Sequence, residues 1–530
     1  MNIERLYQLY LRHPSIQTDT RKLRDGDLFF ALKGPNFNGN QFALSALKQG
    51  AAYAVIDEAT ASAAPEGVPA LSERLILVDD ALATLQALAL HHRQQFDIPF
   101  IAITGSNGKT TTKELVYAVL ASKYRTYTTV GNLNNHIGVP LTLLSIKKDA
   151  QFAVIEMGAN HQKEIESYCR YTLPTHGIIT NAGKAHLEGF GGPEGVKKGK
   201  GELYTFLREH DGTAFVMWDY AYLREMSKGI PHILRYGTAD ADLIGVVESD
   251  GAAATIGKNV VADATTENAG SQSGNDGKTV ASSGDSFLRV RIIKGAATGT
   301  ISTQLVGDYN LPNVLVAVAI GKFFGVDDES IRQSIEGYTP SNSRSQLIQR
   351  ESNHIILDAY NANPSSMKAA IENFARLNAS ASGGGGKAGG SATEIASGAG
   401  GDKAGADRDK AEPGSDKVEA GSDRAVGNDK AEAGGDRATT GAGRKVLILG
   451  AMAELGEESL EEHRQIVELI GKYSWLQVVL VGGDFLKITH PYLSFQNSRE
   501  AGEWLRQAGF TDTWLLIKGS RSTKMEEVLN

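Results

Sequence analysis

The sequence of 530 residues predicts an α/β protein of three domains with two low-complexity insertions. Short apolar runs alternate with helical stretches along most of the chain, which favours parallel sheets covered by helices. The length agrees, because one hydrophobic core seldom serves more than about 300 residues. The 59 glycines are unevenly spread, and two glycine-rich segments carry almost no large apolar side chains.

Three domains are predicted from the order of these runs. Residues 1–95 alternate the strand-like DLFFAL, YAVID and RLILVDD with helices such as QFALSALKQGA. Residues 96–338 run from IPFIAIT through FAVIEMG and HGIITNA to the helix VLVAVAIGKFFG, which predicts a P-loop ATPase-type parallel sheet with helices on both faces. Residues 339–530 repeat the pattern in HIILDAYN, SSMKAAIENFARL, KVLILGAM, LQVVLVGG and TWLLIKGS, as in a Rossmann-like domain.

Two segments fit no core. Residues 248–286 are rich in Gly, Ser, Ala, Asp and Asn, and residues 378–443 form an imperfect Asp-Lys/Arg-Ala repeat with glycine. Burial could not repay the entropy of ordering them, so both are predicted to be disordered insertions. A partner-binding role for the second is the alternative.

Composition limits the function classes. The net charge of -8 disfavours a nucleic-acid binder, which would need a basic face. Cys169 is the single cysteine, so no intrachain disulfide is possible and a reducing compartment is expected. Charges interrupt the first fifteen residues where a secretion signal is apolar, and no run of about 18 apolar residues occurs. We therefore expect a cytoplasmic monomer with no membrane span.

A glycine turn in AITGSNGKTTTKE follows a strand and opens a helix. Gly105 and Gly108 allow the backbone to approach phosphate oxygens, and the free N–H groups and dipole of the helix attract them. Lys109 can then reach the terminal phosphates and the Thr110 hydroxyl can bind Mg²⁺. Ile103 stands where the common pattern has glycine, so the turn is short. A purely structural turn is the alternative.

Glu156 ends the strand FAVIE, at the edge where α/β sheets bind ligands. A carboxylate there, beside the glycine turn, is predicted to hold Mg²⁺ together with Thr110. The alternative is a carboxylate that caps the segment after the strand.

Seven motifs in one order resemble the Mur ligase family, the ATP-dependent amide-forming ligases of peptidoglycan synthesis. Beside the loop TGSNGKTTT they are TDTRKLRDGDLFFALKG, GNLNNHIGVPLTLL, EMGANHQKEI, NAGKAHLEGFGGPEGVKKGKGELY, LDAYNANPSSM, LGAMAELGEES and KGSRSTKMEEV. The resemblance covers the whole chain except the two insertions. It implies a UDP-substrate domain, an ATPase domain and a smaller third domain that closes on the site.

The resemblance also implies a reaction. ATP phosphorylates the terminal carboxylate of UDP-N-acetylmuramoyl-tripeptide, and the amine of D-alanyl-D-alanine displaces phosphate, with two Mg²⁺ ions as cofactors. Another amino-acid-adding ligase of the family would show a DNPR-like motif where this chain has AMAELGEES, and folylpolyglutamate synthase would show DxAHNP where it has DAYNANP. A silent nucleotide-gated binding protein would be expected to lose one of the catalytic residues named next.

The catalytic residues and metal ligands follow from the resemblance. His186 corresponds to a ligand of the second metal, with a structural histidine as the alternative. Lys200 corresponds to the lysine that carbon dioxide converts to N6-carboxylysine, with a direct phosphate contact as the alternative. The expected catalytic residues are Lys109, Glu156, His186, Lys200 and Arg344, and the expected metal ligands are Thr110, Glu156, His186 and carbamylated Lys200.

Nucleotide contacts are carried over in the same way. Asn313 corresponds to an adenine-contacting amide, although Tyr309 replaces the family histidine nearby and helix capping is the alternative for Asn310 and Asn313. Arg344 would reach the γ-phosphate and Asp358 the ribose. The predicted ATP contacts are Gly105, Ser106, Asn107, Gly108, Lys109, Thr110, Thr111, Asn313, Arg344, Asp358 and Asn361.

Substrate contacts are expected in all three domains. The resemblance implies a UDP-sugar site in the first, a pocket for the peptide and muramyl group in the second, and a turn that binds the dipeptide carboxylate in the third. A helix-entry turn is the alternative for the last. The predicted residues are Thr18, Asp19, Thr20, Arg21, Asn38, Asn134, Asn135, His136, Lys518 and Arg521.

Overall fold

Three main sheets and one short hairpin organise the part of the chain that the structure, a computed structural model, describes. The described residues are 2–59, 73–248, 287–340, 343–377 and 444–530. Apart from Glu248, both predicted insertions lie outside them. In these ranges no helix combines the length and apolar character needed to cross a membrane.

The first sheet has four parallel strands in the order β1-β2-β5-β6. The predicted strand runs are confirmed, and the N-terminal charges lie on an amphipathic helix that Asn2 caps by accepting from the Arg5 N–H. The elements are α1 (Ile3–Arg12), β1 (Ile16–Gln17), β2 (Leu28–Phe30), β3 (Lys33–Gly34), β4 (Phe37–Asn38), α2 (Ala43–Lys48), β5 (Tyr53–Ile56), β6 (Leu75–Leu77) and α3 (Ala81–Arg93).

The central sheet has nine strands in the order β15-β14-β13-β12-β11-β10-β7-β9-β8. Strands β7 to β13 are parallel, as predicted, and antiparallel β14 and β15 extend one edge. The elements are β7 (Phe100–Thr104), α4 (Lys109–Ala121), β8 (Thr126–Thr128), α5 (Gly138–Leu144), β9 (Phe152–Glu156), α6 (Glu164–Thr172), β10 (His176–Ile179), α7 (Leu187–Phe190), α8 (Pro193–Glu209), β11 (Thr213–Met217), α9 (Ala221–Met226), β12 (His232–Gly237), β13 (Leu243–Val247), β14 (Arg289–Lys294), β15 (Thr300–Ser302), α10 (Leu311–Phe323) and α11 (Asp328–Glu336).

The third sheet has the order β16-β17-β21-β18-β19-β20, with only β16 antiparallel among its described strands. The strand–helix alternation read from the sequence is confirmed. The elements are β16 (Gln346–Arg350), β17 (Asn353–Asp358), α12 (Pro364–Arg376), β18 (Lys445–Gly450), α13 (Ser459–Ile470), β19 (Gln477–Val481), β20 (Leu493–Phe495), α14 (Ser498–Ala508) and β21 (Trp514–Lys518).

The central core explains the sequence pattern. Strands β7 and β9 are buried along their whole length, because helices cover both faces of the sheet. Helix α10 is buried at every position from Asn313 to Gly321 and packs on α4 and on β12. It therefore has no polar face, which is why its sequence is almost continuously apolar.

A buried arginine joins the first domain to the central one. Arg93, at the end of α3, donates from Nε to Thr172 O at 2.8 Å and from Nη2 to Leu173 O at 2.9 Å, where helix α6 ends. Its guanidinium lies 3.7 Å from the centroid of the Phe100 ring in β7. Burial lowers the pKa of Arg93 to about 10. The cation thus stabilises the negative end of a helix dipole and stacks on an aromatic face.

We expect Arg93→Met to lower the stability of the protein by about 2–4 kcal/mol, because it leaves buried carbonyl groups without a donor. The measurement is the midpoint of thermal unfolding. Arg93→Lys, which keeps the charge but not the forked donor, should lower the stability by a smaller amount. A melting temperature of Arg93→Met equal to that of the wild type would contradict this account of the interface.

Candidate active site

The glycine turn lies between β7 and α4, and two of its residues must be glycine. Gly105 has φ +144° and Gly108 has φ +80°, a left-handed conformation. A Cβ on Gly105 would collide with the Thr180 hydroxyl, and one on Gly108 would lie 2.7 Å from Asn313 Oδ1. The backbone therefore approaches its neighbours more closely than any other residue type allows.

The segment after β10 holds the turn in shape. Asn181 accepts from the Ser106 N–H through its carbonyl, at 2.9 Å, and from the Asn107 N–H through Oδ1, at 3.0 Å. The Thr180 hydroxyl donates to Asn107 O at 2.6 Å, and Ser106 Oγ donates to Gly183 O at 2.8 Å. Because β10 and β7 are neighbours in the sheet, the turn is braced before any ligand binds.

Lys109 folds back over the turn. Its amine donates to Gly105 O at 2.7 Å and to Ser106 O at 3.2 Å. Burial is the main reason that the pKa of Lys109 falls to about 8; the charge of Glu156 opposes this shift and the nearby charge of Arg344 adds to it. Arg344 from the third domain therefore lies within electrostatic reach of the lysine.

Glu156 is buried at the end of β9 and faces the start of α4. Its Oε1 accepts from Thr110 Oγ1 at 3.2 Å and from Asn134 Nδ2 at 2.7 Å. Its Oε2 is buried with no hydrogen-bond partner within the described chain. Magnesium prefers carboxylate and hydroxyl oxygens and keeps several waters, so an unpaired carboxylate oxygen beside a threonine fits this ion.

Lys200, on α8, is almost fully buried. Its amine donates to Ala159 O at 2.9 Å and lies 4.8 Å from the centroid of the Phe190 ring. Burial holds the pKa of Lys200 well below its usual range, and the charge of Lys109 lowers it further. The structure therefore favours a neutral, nucleophilic amine at this position.

His186 contacts the third domain. Its Nδ1 pairs with Glu454 Oε2, and this contact lowers the pKa of the Glu454 carboxyl group. In the described residues no three His, Cys, Asp or Glu side chains form a group able to hold a metal. Glu454 was not singled out from the sequence; its motif, AMAELGEES, was the only signal.

The predicted adenine contact lies beneath the glycine turn. Asn313 Oδ1 accepts from Thr112 Oγ1 at 3.0 Å, and its Nδ2 donates to Asn310 Oδ1 at 2.9 Å. Asn310 occupies the cap position of α10 but makes no capping hydrogen bond; it donates instead to Val306 O at 2.9 Å. Both amides are thus engaged in packing the turn against α10.

Third-domain candidates are paired with one another. Lys518, buried at the end of β21, donates to Asp358 Oδ2 at 2.7 Å and to Asn361 O at 3.1 Å. Two N–H donors of Lys518 are therefore used inside the third domain, and the second oxygen of Asp358, Oδ1, accepts from the Ser345 N–H at 3.3 Å. Arg521 is exposed and donates to Glu526 at 2.8 Å. The two cations predicted to act together therefore point to different partners.

Arg344 lies where the third domain begins, and Tyr309 of the central domain contacts the same junction. The Arg344 guanidinium stacks 3.5 Å from the centroid of the Tyr360 ring. The Tyr309 hydroxyl hydrogen-bonds Ser345 Oγ at 2.8 Å. Tyr309 thus contacts the domain junction rather than standing free in a base pocket, and burial raises its pKa.

The first-domain candidates meet at one edge of their sheet. Thr18, Asp19, Thr20 and Arg21 follow β1. Asn38 ends β4, in the hairpin that follows β2, so both groups come after the carboxyl ends of neighbouring parallel strands. Asp19 accepts from Arg21 Nη2 at 2.8 Å, and this hydrogen bond lowers the pKa of Asp19 to about 2.

Acidic side chains missed by sequence reasoning surround that edge. Asn38 Nδ2 donates to Glu58 at 3.0 Å, and Lys33 Nζ lies 3.0 Å from Asp57 and 3.1 Å from Glu58. These residues follow β5, whose YAVID run predicted only a strand. Asn38 is therefore held in place by a neighbouring strand end.

In the loop 134–136 only one candidate side chain reaches the centre of the site. Asn134 contacts Glu156 directly. Asn135 Oδ1 accepts from the Ile137 N–H at 3.2 Å and from the Gly138 N–H at 2.8 Å, so it holds the turn that leads into α5. His136 is exposed, and its carbonyl accepts from Gln86 Nε2 at 3.1 Å.

Comparison with known families gives two matches. Residues 103–321 match the Mur ligase middle domain, and residues 14–93 match a model described as the Mur ligase family, catalytic domain. Together they cover the glycine turn, Glu156, His186, Lys200 and the first-domain edge.

Individual relatives agree. The chain is 34% identical over 361 residues to the UDP-N-acetylmuramoyl-tripeptide–D-alanyl-D-alanine ligase of Bacillus subtilis, covering 67% of this chain and 69% of that protein. It is 32% identical over 373 residues to the enzyme of the same name from Escherichia coli, covering 68% and 72%. A crystal structure of MurF from Acinetobacter baumannii superposes with a TM-score of 0.71 at 25% identity, covering 98% and 97%.

We expect the Lys109 amine to titrate near pH 8 in the nucleotide-free protein, and its pKa to rise when a triphosphate binds, because phosphate charge stabilises the ammonium form. The measurement is an NMR titration of labelled lysine side chains, with Lys109→Met to identify the signal. Since the unfolded chain keeps a pKa near 10.5, the folded wild type binds fewer protons between pH 8 and 10.5. Its stability relative to Lys109→Met should therefore rise with pH across that window, whereas an unshifted pKa would contradict the buried site.

Proposed function

The chain belongs to the Mur ligase family, and we propose that its site joins D-alanyl-D-alanine to UDP-N-acetylmuramoyl-tripeptide with cleavage of ATP to ADP and phosphate. The curated relatives carry that activity in their names. This is the ATP-dependent ligase reaction expected from the sequence, within peptidoglycan precursor synthesis. The relatives' names favour it over a ligase that adds a single amino acid and over folylpolyglutamate synthesis.

One observation carries the proposal: a glycine turn, a lysine and a buried carboxylate converge at the carboxyl edge of β7 and β9. Ile103 pairs with Glu156 in the sheet, so the turn and the carboxylate start from adjacent strands. Thr110 bridges them by donating to Glu156 at 3.2 Å. Lys109 and Arg344 bring positive charge to the same place. This arrangement supports triphosphate binding by the turn and Lys109, with Glu156 and Thr110 as the residues that would hold a cation.

The reaction joins two anions and then an amine. The tripeptide carboxylate attacks the γ-phosphorus of ATP, the bond from that phosphorus to the β,γ-bridging oxygen breaks, and ADP leaves an acyl phosphate. The dipeptide amine attacks the acyl carbon and loses a proton, and inorganic phosphate leaves as the amide forms. Neither step needs a covalent enzyme nucleophile, so this chain's task is to position the reactants and offset their charge.

The residues present fit a magnesium ion. Glu156 and Thr110 would hold it, since both offer hard oxygen atoms and Glu156 Oε2 has no other partner in the described chain. When bound, the ion neutralises phosphate charge. Lys109 would release Gly105 O and Ser106 O and turn to the terminal phosphates. A second ion at His186 stays a prediction, because Glu454 pairs with that ring.

Lys200 supports a proposed carbamate. Carbon dioxide reacts only with a neutral amine, and burial together with Lys109 favours that form of Lys200. The resulting N6-carboxylysine would add a carboxylate near the cations of the site. The alternative role, a direct phosphate contact, requires the charged amine, which burial disfavours.

The remaining contacts are proposed by domain. The edge formed by residues 18–21 and Asn38 would bind the UDP part of the substrate, and Asn134, which already touches Glu156, would line the acceptor pocket. Residues 135–136 lie beside it. Arg344, Asp358 and Asn361 would contribute from the third domain. These assignments, and a cytoplasmic location, are proposals that rest on family membership.

The activity itself is tested by phosphate release. We expect turnover only with ATP, UDP-N-acetylmuramoyl-tripeptide and D-alanyl-D-alanine together, and a fall to background for Lys109→Met, which removes the amine beside the phosphates. Lys148→Met, an exposed lysine of the same domain, is the matched control. Efficient turnover with a single D-amino acid, or with a folate and glutamate, would contradict the proposed substrates and identify others.

The carbamate is tested separately. Lys200→Ala should lower kcat by about 100-fold, as expected for a group that orients metal and substrate, with partial recovery on adding formate or acetate. Lys198→Ala, an exposed neighbour on α8, should retain normal turnover. Loss of activity without recovery would favour the direct phosphate contact.

A further inference from the structure

An asparagine of the third domain hydrogen-bonds to the glycine turn. Asn363 is buried and stands at the cap position of α12, before Pro364. Its Nδ2 donates to Asn107 Oδ1 at 2.8 Å, while Asn107 Nδ2 lies 3.5 Å from Asn363 Oδ1. The two amides belong to different domains and are 256 residues apart in the chain. They face each other as a reciprocal pair.

Capping alone does not explain the choice of asparagine. Asn363 Oδ1 accepts from the Ser366 N–H at 2.9 Å, and the Ser366 hydroxyl completes the capping box. Serine, threonine or aspartate would make the same cap. Only the amide also supplies an N–H donor, and this donor is directed at Asn107.

Residues of two domains hydrogen-bond to Asn107. Its backbone N–H and carbonyl are held by Asn181 and Thr180 of the central domain. Its side chain is held by Asn363 of the third domain. A movement of the third domain would therefore shift or break a hydrogen bond to a residue inside the phosphate-binding turn.

Neighbouring contacts dock the same two surfaces. The Lys184 N–H donates to Ser365 Oγ at 3.0 Å, and Lys184 Nζ donates to Glu462 Oε1 at 2.6 Å. Ser365 follows the cap of α12, and Glu462 lies on the adjacent α13. The start of α12 is thus seated between the turn and the segment after β10, so the Asn107–Asn363 pair is formed only when the third domain is docked.

We propose that Asn363 is a positioning residue that couples docking of the third domain to the conformation of the phosphate-binding turn through Asn107. The inference rests on the proposed function, because it concerns how the same site takes up ATP. With the pair intact, Asn107 stays where the turn can enclose the phosphates. Without it, the turn loses this hydrogen bond to the third domain, and ATP binds less tightly while the fold is kept.

The test is a double-mutant cycle with Asn363→Ser and Asn107→Ala. Serine keeps the cap of α12 and adds no charge, but it cannot reach Asn107. We expect Asn363→Ser to weaken binding of a non-hydrolysable ATP analogue by about fivefold, the effect of one hydrogen bond, and to raise KM for ATP by a similar factor with little change in melting temperature. In the Asn107→Ala background the same substitution should have almost no further effect.

A matched variant separates positioning from capping. Ser366→Ala removes one arm of the capping box without touching Asn107, so it should lower the melting temperature and leave analogue binding unchanged. The inference would be overturned if Asn363→Ser bound the analogue like the wild type, if it weakened binding equally in both backgrounds, or if Ser366→Ala weakened binding as much. Failure of the wild type to bind the analogue would instead refute the proposed function.

Discussion

The site depends on keeping charged groups away from water at one edge of a parallel sheet. Glu156 ends β9, Lys109 begins α4 and Lys200 lies inside α8. Glu156 and Lys200 are buried, and Lys109 is half-buried. Their charges are offset only in part: one oxygen of Glu156 has no hydrogen-bond partner among the described residues, and both lysines have lowered pKa values. Such a site favours ligands that offset these charges, because a buried charge without a partner is costly.

The third domain supplies the other half of that environment. It brings Arg344 within reach of Lys109, Glu454 to His186 and Asn363 to Asn107. Each contact is polar and crosses between domains, so it can be broken and remade without exposing a large apolar core. A ligase that forms an acyl phosphate must exclude water while the intermediate survives, and a docked third domain fits this requirement.

Much of the fold was readable from the sequence because burial leaves a simple pattern. The runs FAVIEMG and HGIITNA form β9 and β10, and VLVAVAIGKFFG forms α10. Strands and helices that are covered on all sides appear in the sequence as nearly continuous apolar runs, which are easy to recognise. The antiparallel β14 and β15 were not predicted. They follow the segment at 249–286, which is too long for the short-hairpin pattern by which antiparallel pairing is read from a sequence.

The sequence by itself determined the family, the glycine turn and the carboxylate that ends β9, because these depend on residue type and local spacing. Only the tertiary structure decided which partners the candidate residues have. Lys518 turned inward to Asp358, Asn313 packed beneath the turn, and Asn363 reached Asn107 across 256 positions of chain. Such pairings are set by how separate domains meet, and a hydrogen bond between distant residues leaves no periodic or local trace in either segment.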